Sequence, residues 1–245
     1  MRQAPGVAMQ LPEADAELPA DWLDRLRRGL LPTPDHELLH CFYGGPLAEV
    51  PQRLGDELIA SLPETLQAAA VLIPIVLHPT SPTLLLTVRA SHLRHHAGQI
   101  SFPGGRIEAT DADPASAALR ETAEELGIPA EFVERLGYLT DHVVRTGFRI
   151  TPLVALLRPG FTLSLDQTEV AEAFELPLAF ALASTNYRAR RRTLRDVELE
   201  VWELPYGEHV IWGATAGMLA QLRGVLHAQA IAPAQGAAPP QEGSA

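Results

Sequence analysis

The chain has 245 residues, with 30 acidic against 19 basic and a formal net charge of −11; every basic residue is arginine. That balance excludes a general nucleic-acid binder, which needs a positive footprint against phosphate. At 47% hydrophobic and 20% charged, with a single cysteine, Cys41, the composition is that of a folded protein whose core needs no disulfide.

The absence of lysine and the abundance of alanine fit a coding bias better than a chain-wide demand for guanidinium chemistry. No basic-then-apolar leader opens the chain, and the longest aliphatic stretch, Ala68 to Leu77, is about half a membrane span and holds Pro74. A cytoplasmic protein that neither crosses nor binds a membrane is the expectation. Cys41 is expected to serve as a small buried hydrophobe.

In chain order, residues 1–20 and 232–245 are rich in Pro, Ala, Gly and acids without a hydrophobic period, and are expected to be disordered tails. Residues 21–66 hold short amphipathic pieces broken by Pro32, Pro34, Pro46 and Pro51, which predict a helical lead-in packed on a main domain spanning 67–231. Strand-like runs then follow at Val71 to Leu77 and Leu84 to Val88, joined by a Pro-Thr-Ser-Pro turn in the manner of a hairpin. Further strands are expected at Arg149 to Leu157 and Glu198 to Leu204, with a closing helix over Thr215 to Leu226. Mixed α and β elements around one sheet are the predicted class.

The informative stretch runs from Gly104 to Pro129. Asp113 followed by Pro114 predicts a helix start, and Gly127 with Pro129 the matching stop, bracketing a helix of about 13 residues. At 100° per residue, Leu119, Ala123 and Leu126 fall within about 60° of one another, with Glu121, Glu124 and Glu125 opposite. The spacing therefore predicts that the first group packs and the carboxylates are presented. A solvated acidic face is the ordinary meaning of such a cluster. Against it, Glu121 and Glu125 are like charges at i,i+4, which weakens a helix by a few tenths of a kcal/mol unless a cation intervenes. Hard oxygen ligands in this arrangement suit Mg²⁺ or Mn²⁺. The Gly104-Gly105 pair just upstream lets backbone approach a ligand closely.

These residues resemble the Nudix box, G-x5-E-x7-R-E-U-x-E-E-x-G-U with U a bulky aliphatic. Gly105, Arg120, Glu121, Glu124, Glu125, Gly127 and Ile128 fit it. The chain departs at Asp111, which stands for the first glutamate and lies eight residues rather than seven before Arg120, and at Thr122, which takes a U position. Either Asp111 or Glu108 fills the first acidic place. The one-residue stretch is similar to the coenzyme A pyrophosphatase branch, whose upstream signature is L-L-T-x-R-[SA]-x3-R-x3-G-x3-F-P-G-G. Here Leu85-Leu86-Thr87-Val88-Arg89-Ala90, Arg94, Gly98 and Phe102-Pro103-Gly104-Gly105 match every fixed position.

The resemblance spans roughly Ala69 to Leu226 and implies an α/β/α sandwich with a mixed sheet and a catalytic loop-helix-loop. It implies hydrolysis of coenzyme A to adenosine 3',5'-bisphosphate and 4'-phosphopantetheine, with Mg²⁺ or Mn²⁺ as cofactor. Glu121 and Glu125 would ligate the metal, Gly105 could offer it a backbone carbonyl, and Arg120 would hold Glu121 through a charge-assisted hydrogen bond. Glu124 would be a further ligand or the group that takes the water's proton, a role for which Glu169 and Glu172 also stand. Arg89 and Arg94 would contact substrate phosphates, or else fix the loop between Ser91 and Ser101. His92, His95 and His96 fit surface positions better than a zinc site. The run Arg188, Arg190, Arg191, Arg192 and Arg195 could attract an anionic substrate or simply form an exposed turn. Two other readings remain open: a Nudix hydrolase of another nucleoside diphosphate derivative such as ADP-ribose, and a noncatalytic module of the same fold.

Overall fold

The computed structural model describes residues 17–37, 39–41, 62–93, 96–144, 146–194 and 197–227, with the backbone alone at 39–41, 191–194 and 197–200. Both expected tails lie almost wholly outside these residues, as do Arg94 and His95.

Strand β2 (Gln67–Val76) is the central element. It runs parallel to β8 (Phe148–Leu157) over ten residue pairs, from Gln67 opposite Phe148 to Val76 opposite Leu157. At its C-terminal end it turns into β3 (Thr83–Arg89), with Ile75 opposite Leu84, as the Pro-Thr-Ser-Pro turn predicts. Its N-terminal half pairs instead with β5 (Gly104–Arg106), which places Gly105 opposite Ala70 and Gly104 opposite Val71. β3 continues against β4 (Ile100–Ser101) and β9 (Val170–Pro177), while β6 (Val133–Tyr138) and β7 (Asp141–Val144) pair with β8.

Side chains alternate across this sheet as the period of two requires. Ile73, Ile75, Leu84, Leu86, Val154 and Leu156 face one core, shared with helix α1 (Trp22–Gly29), helix α3 (Leu178–Leu182) and helix α4 (Gly213–His227). Ala70, Leu72, Leu153 and Ala155 face the other, against Ala115, Ala117 and Ala118 of helix α2 (Pro114–Leu126). Helices on both faces of a mixed sheet make the expected α/β/α sandwich. β10 (Arg188–Leu194), β11 (Val197–Tyr206) and β12 (His209–Trp212) form a separate antiparallel sheet beside α4.

The lead-in is not wholly helical. After α1, Leu31 exchanges backbone hydrogen bonds with Tyr138 (2.9 and 2.8 Å), and Leu39–Cys41 forms β1, which runs parallel to β7. The prolines that break the helical pattern free the chain to extend along the sheet edge. Residues 42–61 lie outside the description.

Candidate active site

Helix α2 begins and ends where the sequence places it. The Asp113 carboxylate accepts from the Ser116 N–H at 2.6 Å, Pro114 takes the first turn, and Gly127 closes the helix in the left-handed conformation at φ 69°. The Ser116 contacts hold the Asp113 carboxyl below its usual range.

The predicted facing, however, is rotated. Ala123 is exposed, whereas Ala115, Ala118, Thr122, Glu125 and Leu126 are buried. Alanines on that side let the helix lie close against β2 and β8, which a search for large apolar residues passes over. Thr122 tolerates burial because its Oγ1 donates to the Ala118 carbonyl at 2.7 Å, so no polar atom is stranded.

Glu121 and Glu125 therefore point toward the sheet, not outward. Glu125 is 4% exposed, and its Oε2 accepts from the Gly104 N–H at 3.2 Å. Burial pushes its carboxyl up to about 8; the Gly104 N–H and the charge of Arg89 pull against that, while Glu121 and Glu169 add to it. Burial also raises Glu121, although Arg120 opposes the shift. The carboxylate of Glu121 lies directly over Gly105: a β-carbon at that glycine would stand 2.5 and 2.6 Å from its two oxygens. Gly104, at φ 150°, packs against the Ala70 carbonyl and Val71 Cα of β2 just as tightly. The glycine pair is thus a seat, one residue supplying a donor and the other supplying space.

Arg120 organises the surface of this seat. Its Nε and Nη2 donate to the two oxygens of Asp111 at 3.1 and 3.0 Å, its Nη1 to Glu121 Oε1 at 2.9 Å and Glu124 Oε2 at 3.0 Å, and its Nη2 to the Arg106 carbonyl at 3.1 Å. Of Asp111 and Glu108, only Asp111 has its side chain on the Arg120 guanidinium. Asp111 pairs with the guanidinium and is held ionised by it, while Glu108 contributes its backbone N–H to Asp111 Oδ2 at 2.8 Å.

The three candidates for proton acceptor sit in different places. Glu124 is exposed and tied to Arg120. Glu172 lies 3.5 Å from His209 Nε2, whose ring stacks on Phe174 at 4.1 Å, on the sheet face away from α2. Glu169, from the segment leading into β9, is the one whose charge is felt by both Glu121 and Glu125.

Arg89 leaves β3 at a bulge, opposite Val170, with its charge acting on Glu125. His92 Nε2 meets the Thr168 carbonyl at 3.0 Å and His96 Nδ1 meets Gln99 Oε1 at 2.7 Å, as loop histidines. In the register of β10 with β11, Arg188 stands opposite Glu203 and Arg191 opposite Glu200, and Arg190 pairs with Glu203 at 3.2 Å. Among the described residues no three acidic, histidine or cysteine side chains converge into a ready metal cage. Arg120 draws Glu121 Oε1 and Glu124 Oε2 toward itself.

What the sequence did not single out is the backbone: the Gly104 N–H, the Arg106 carbonyl and the turn at Asp166–Thr168 beside the end of α2. An Asp-x-Thr spacing is the only local sign of that turn.

Comparison with known proteins matches residues 66–208 to the NUDIX domain. The chain is 44% identical over 154 residues to a protein of Enterobacter sp. (strain 638) named uncharacterized Nudix hydrolase NudL, covering 63% of this chain and 80% of that protein. It is 45% identical, over the same shares, to a protein of that name from Salmonella paratyphi B. A crystal structure of a C. elegans Ap4A hydrolase binary complex aligns with 45% of this chain and 80% of its own at 21% identity and a TM-score of 0.38. The domain match spans the acidic helix and its glycine seat, and the relatives bear the same family name: the chain belongs to the Nudix hydrolases, enzymes of pyrophosphate bonds.

Proposed function

We propose that the protein hydrolyses the pyrophosphate bond of coenzyme A or a derivative, releasing adenosine 3',5'-bisphosphate and 4'-phosphopantetheine. The observation that carries this reading is the continuity of the upstream signature with the site. The segment that opens with Leu85-Leu86-Thr87 and Arg89 on β3 ends in Gly104 and Gly105, on which Glu125 and Glu121 rest.

Nudix hydrolases generally use divalent metal ions. The donor set fits Mg²⁺ or Mn²⁺: two half-buried or buried carboxylates, both pushed toward protonation by their surroundings, are stabilised by a nearby divalent charge. Glu121 and Glu125 would hold the ion, with the Gly105 carbonyl beside them. Bound there, it would neutralise the diphosphate and acidify a water.

The remaining roles fall to the chain itself. Arg120 fixes Glu121 from one side as Gly105 does from below. The Gly104 N–H orients Glu125. Arg89, already beside Glu125, and Arg94, outside the described residues, would take phosphate oxygens in the two-pronged manner of guanidinium. Glu169 would receive the proton of the attacking water, as the acid outside the helix whose charge acts on both Glu121 and Glu125.

Chromatography of products from coenzyme A, ADP-ribose, NADH and diadenosine polyphosphates, in millimolar Mg²⁺ or Mn²⁺, tests the assignment. Release of adenosine 3',5'-bisphosphate from coenzyme A is the expected result. Preferential cleavage of ADP-ribose would overturn the substrate assignment, and turnover of none of them would leave a binding module.

A further inference from the structure

Glu169 lies outside the acidic helix, and its placement is set by the segment 164–170. The Ser164 N–H donates to the Leu126 carbonyl at 2.9 Å and the Asp166 N–H to the Glu125 carbonyl at 3.0 Å, so this segment occupies carbonyls left free at the C-terminal end of α2. Asp166 then turns the chain back. Its Oδ1 accepts from the Thr168 N–H at 2.9 Å and from Thr168 Oγ1 at 2.7 Å, and its carbonyl accepts from the Glu169 and Val170 N–H groups at 3.0 and 2.8 Å. On the far side, the Glu169 carbonyl accepts from the Ala90 N–H at 2.8 Å, immediately after Arg89. Asp166 thus joins the end of the acidic helix to the backbone of Glu169, and it does so next to the strand that delivers Arg89.

We propose that Asp166 is a positioning residue, whose side chain closes the turn that holds the Glu169 carboxylate toward Glu121 and Glu125. The proposal rests on the reading of those two residues as the metal-holding pair. Asp166 touches neither metal nor substrate; its effect passes through Glu169. Its three backbone bonds survive substitution, so Asp166→Ala removes only the acceptor that shapes the turn. Asn at this position keeps an oxygen for Thr168.

A double-mutant cycle separates this role from a general loss of structure. Wild type, Asp166→Ala, Glu169→Gln and the double variant are compared for kcat and KM on coenzyme A, and for Mn²⁺ affinity by electron paramagnetic resonance. Glu169→Gln is expected to lower kcat about 100-fold, the scale of a lost general base. Asp166→Ala is expected to lower kcat about 10-fold at unchanged KM, with Mn²⁺ affinity falling by up to about 10-fold because the Glu169 charge moves away from the pair that would hold the ion. The double variant is expected to be no slower than Glu169→Gln alone, and Asp166→Asn to recover most of the loss. If Asp166→Ala does not fold, Thr168→Val, which deletes only the hydroxyl arm of the turn, replaces it in the cycle. Independent, multiplying losses in the double variant, or wild-type kcat in Asp166→Ala, would overturn the proposal. Should coenzyme A not be cleaved while Mn²⁺ still binds, the substrate assignment falls and the cycle is read in the Mn²⁺ affinities. A wild type that binds no Mn²⁺ overturns both.

Discussion

Gly105→Ala should abolish most catalysis and leave the fold standing. The added β-carbon would stand 2.5 and 2.6 Å from the Glu121 oxygens, where ordinary contact begins at 3.4 Å, so the carboxylate must retreat by about 1 Å. Retreat is cheap for the fold, because the obstructing atoms are the end of a flexible side chain and no left-handed φ is required at this glycine. It is expensive for chemistry: displacement of about 1 Å in a catalytic group is enough to lose about 100-fold in rate. The same shift strains the 2.9 Å bond from Arg120 to Glu121. Steady-state kinetics with a metal titration should show kcat down about 100-fold and a higher metal requirement, with thermal stability within about 1 kcal/mol of wild type. Gly104→Ala is the counterpart. Its β-carbon meets the Ala70 carbonyl and stands 2.6 Å from Val71 Cα, and φ is 150°, so the β2–β5 pairing must open. A loss of about 3 kcal/mol or more is expected. A Gly105→Ala protein with wild-type kcat and metal requirement would refute the seat as described.

Glu125→Gln should abolish activity while changing how stability depends on pH in metal-free protein. With its carboxyl at about 8 against an ordinary 4.5, the folded state keeps a proton that the unfolded chain has lost across that window. This contribution is fully present below the unfolded value and is lost as pH rises through the folded one, on the order of 1 kcal/mol per pH unit. Melting in EDTA between about pH 6 and pH 8 should show that decline in wild type and not in Glu125→Gln; parallel profiles would contradict it. Arg120→Lys should reduce kcat roughly 10- to 100-fold, because one ammonium cannot reach Asp111, Glu121, Glu124 and the Arg106 carbonyl together, as kinetics would reveal. Thr122→Val, nearly isosteric, removes a hydroxyl bonded only within its own helix, and chemical denaturation should place it within about 1 kcal/mol of wild type with activity kept.

The ends of α2 were legible because caps are local: Asp113, Pro114 and Gly127 each act within a turn of themselves. The long strands were legible too, β2, β3 and β8 as apolar runs and β11 by its alternation of glutamates with apolar residues. The helix's facing was not, since its buried side is built from alanines and Thr122 around a charged Glu125. A hydrophobic period led by Leu119 and Leu126, which do pack, carries Ala123 with them although Ala123 is exposed. The short strand β5 escaped because its pairing partner in β2 lies tens of residues away. Candidate site residues on one element could be named from the chain itself, Glu121, Glu124 and Glu125 from their spacing and Arg120 from the resemblance to the Nudix box. That the charge of Glu169 acts on Glu121 and Glu125 while Glu172 turns to His209 depends on where β9 meets β3, which no local pattern encodes.

The bidentate pair of Asp111 with Arg120 survives a spacing one residue longer than the common pattern. The slack is taken up ahead of the helix, where Asp111 N–H reaches back to the Glu108 carbonyl and Asp113 restarts the regular backbone. An insertion there adds only to a loop, at a slowly growing entropic cost. The same insertion one turn later would swing every downstream carboxylate by about 100° and scatter the cluster. Length can drift on one side of Asp113 and is forbidden on the other, so this single cap marks where the gene is free to stutter and where it must keep count.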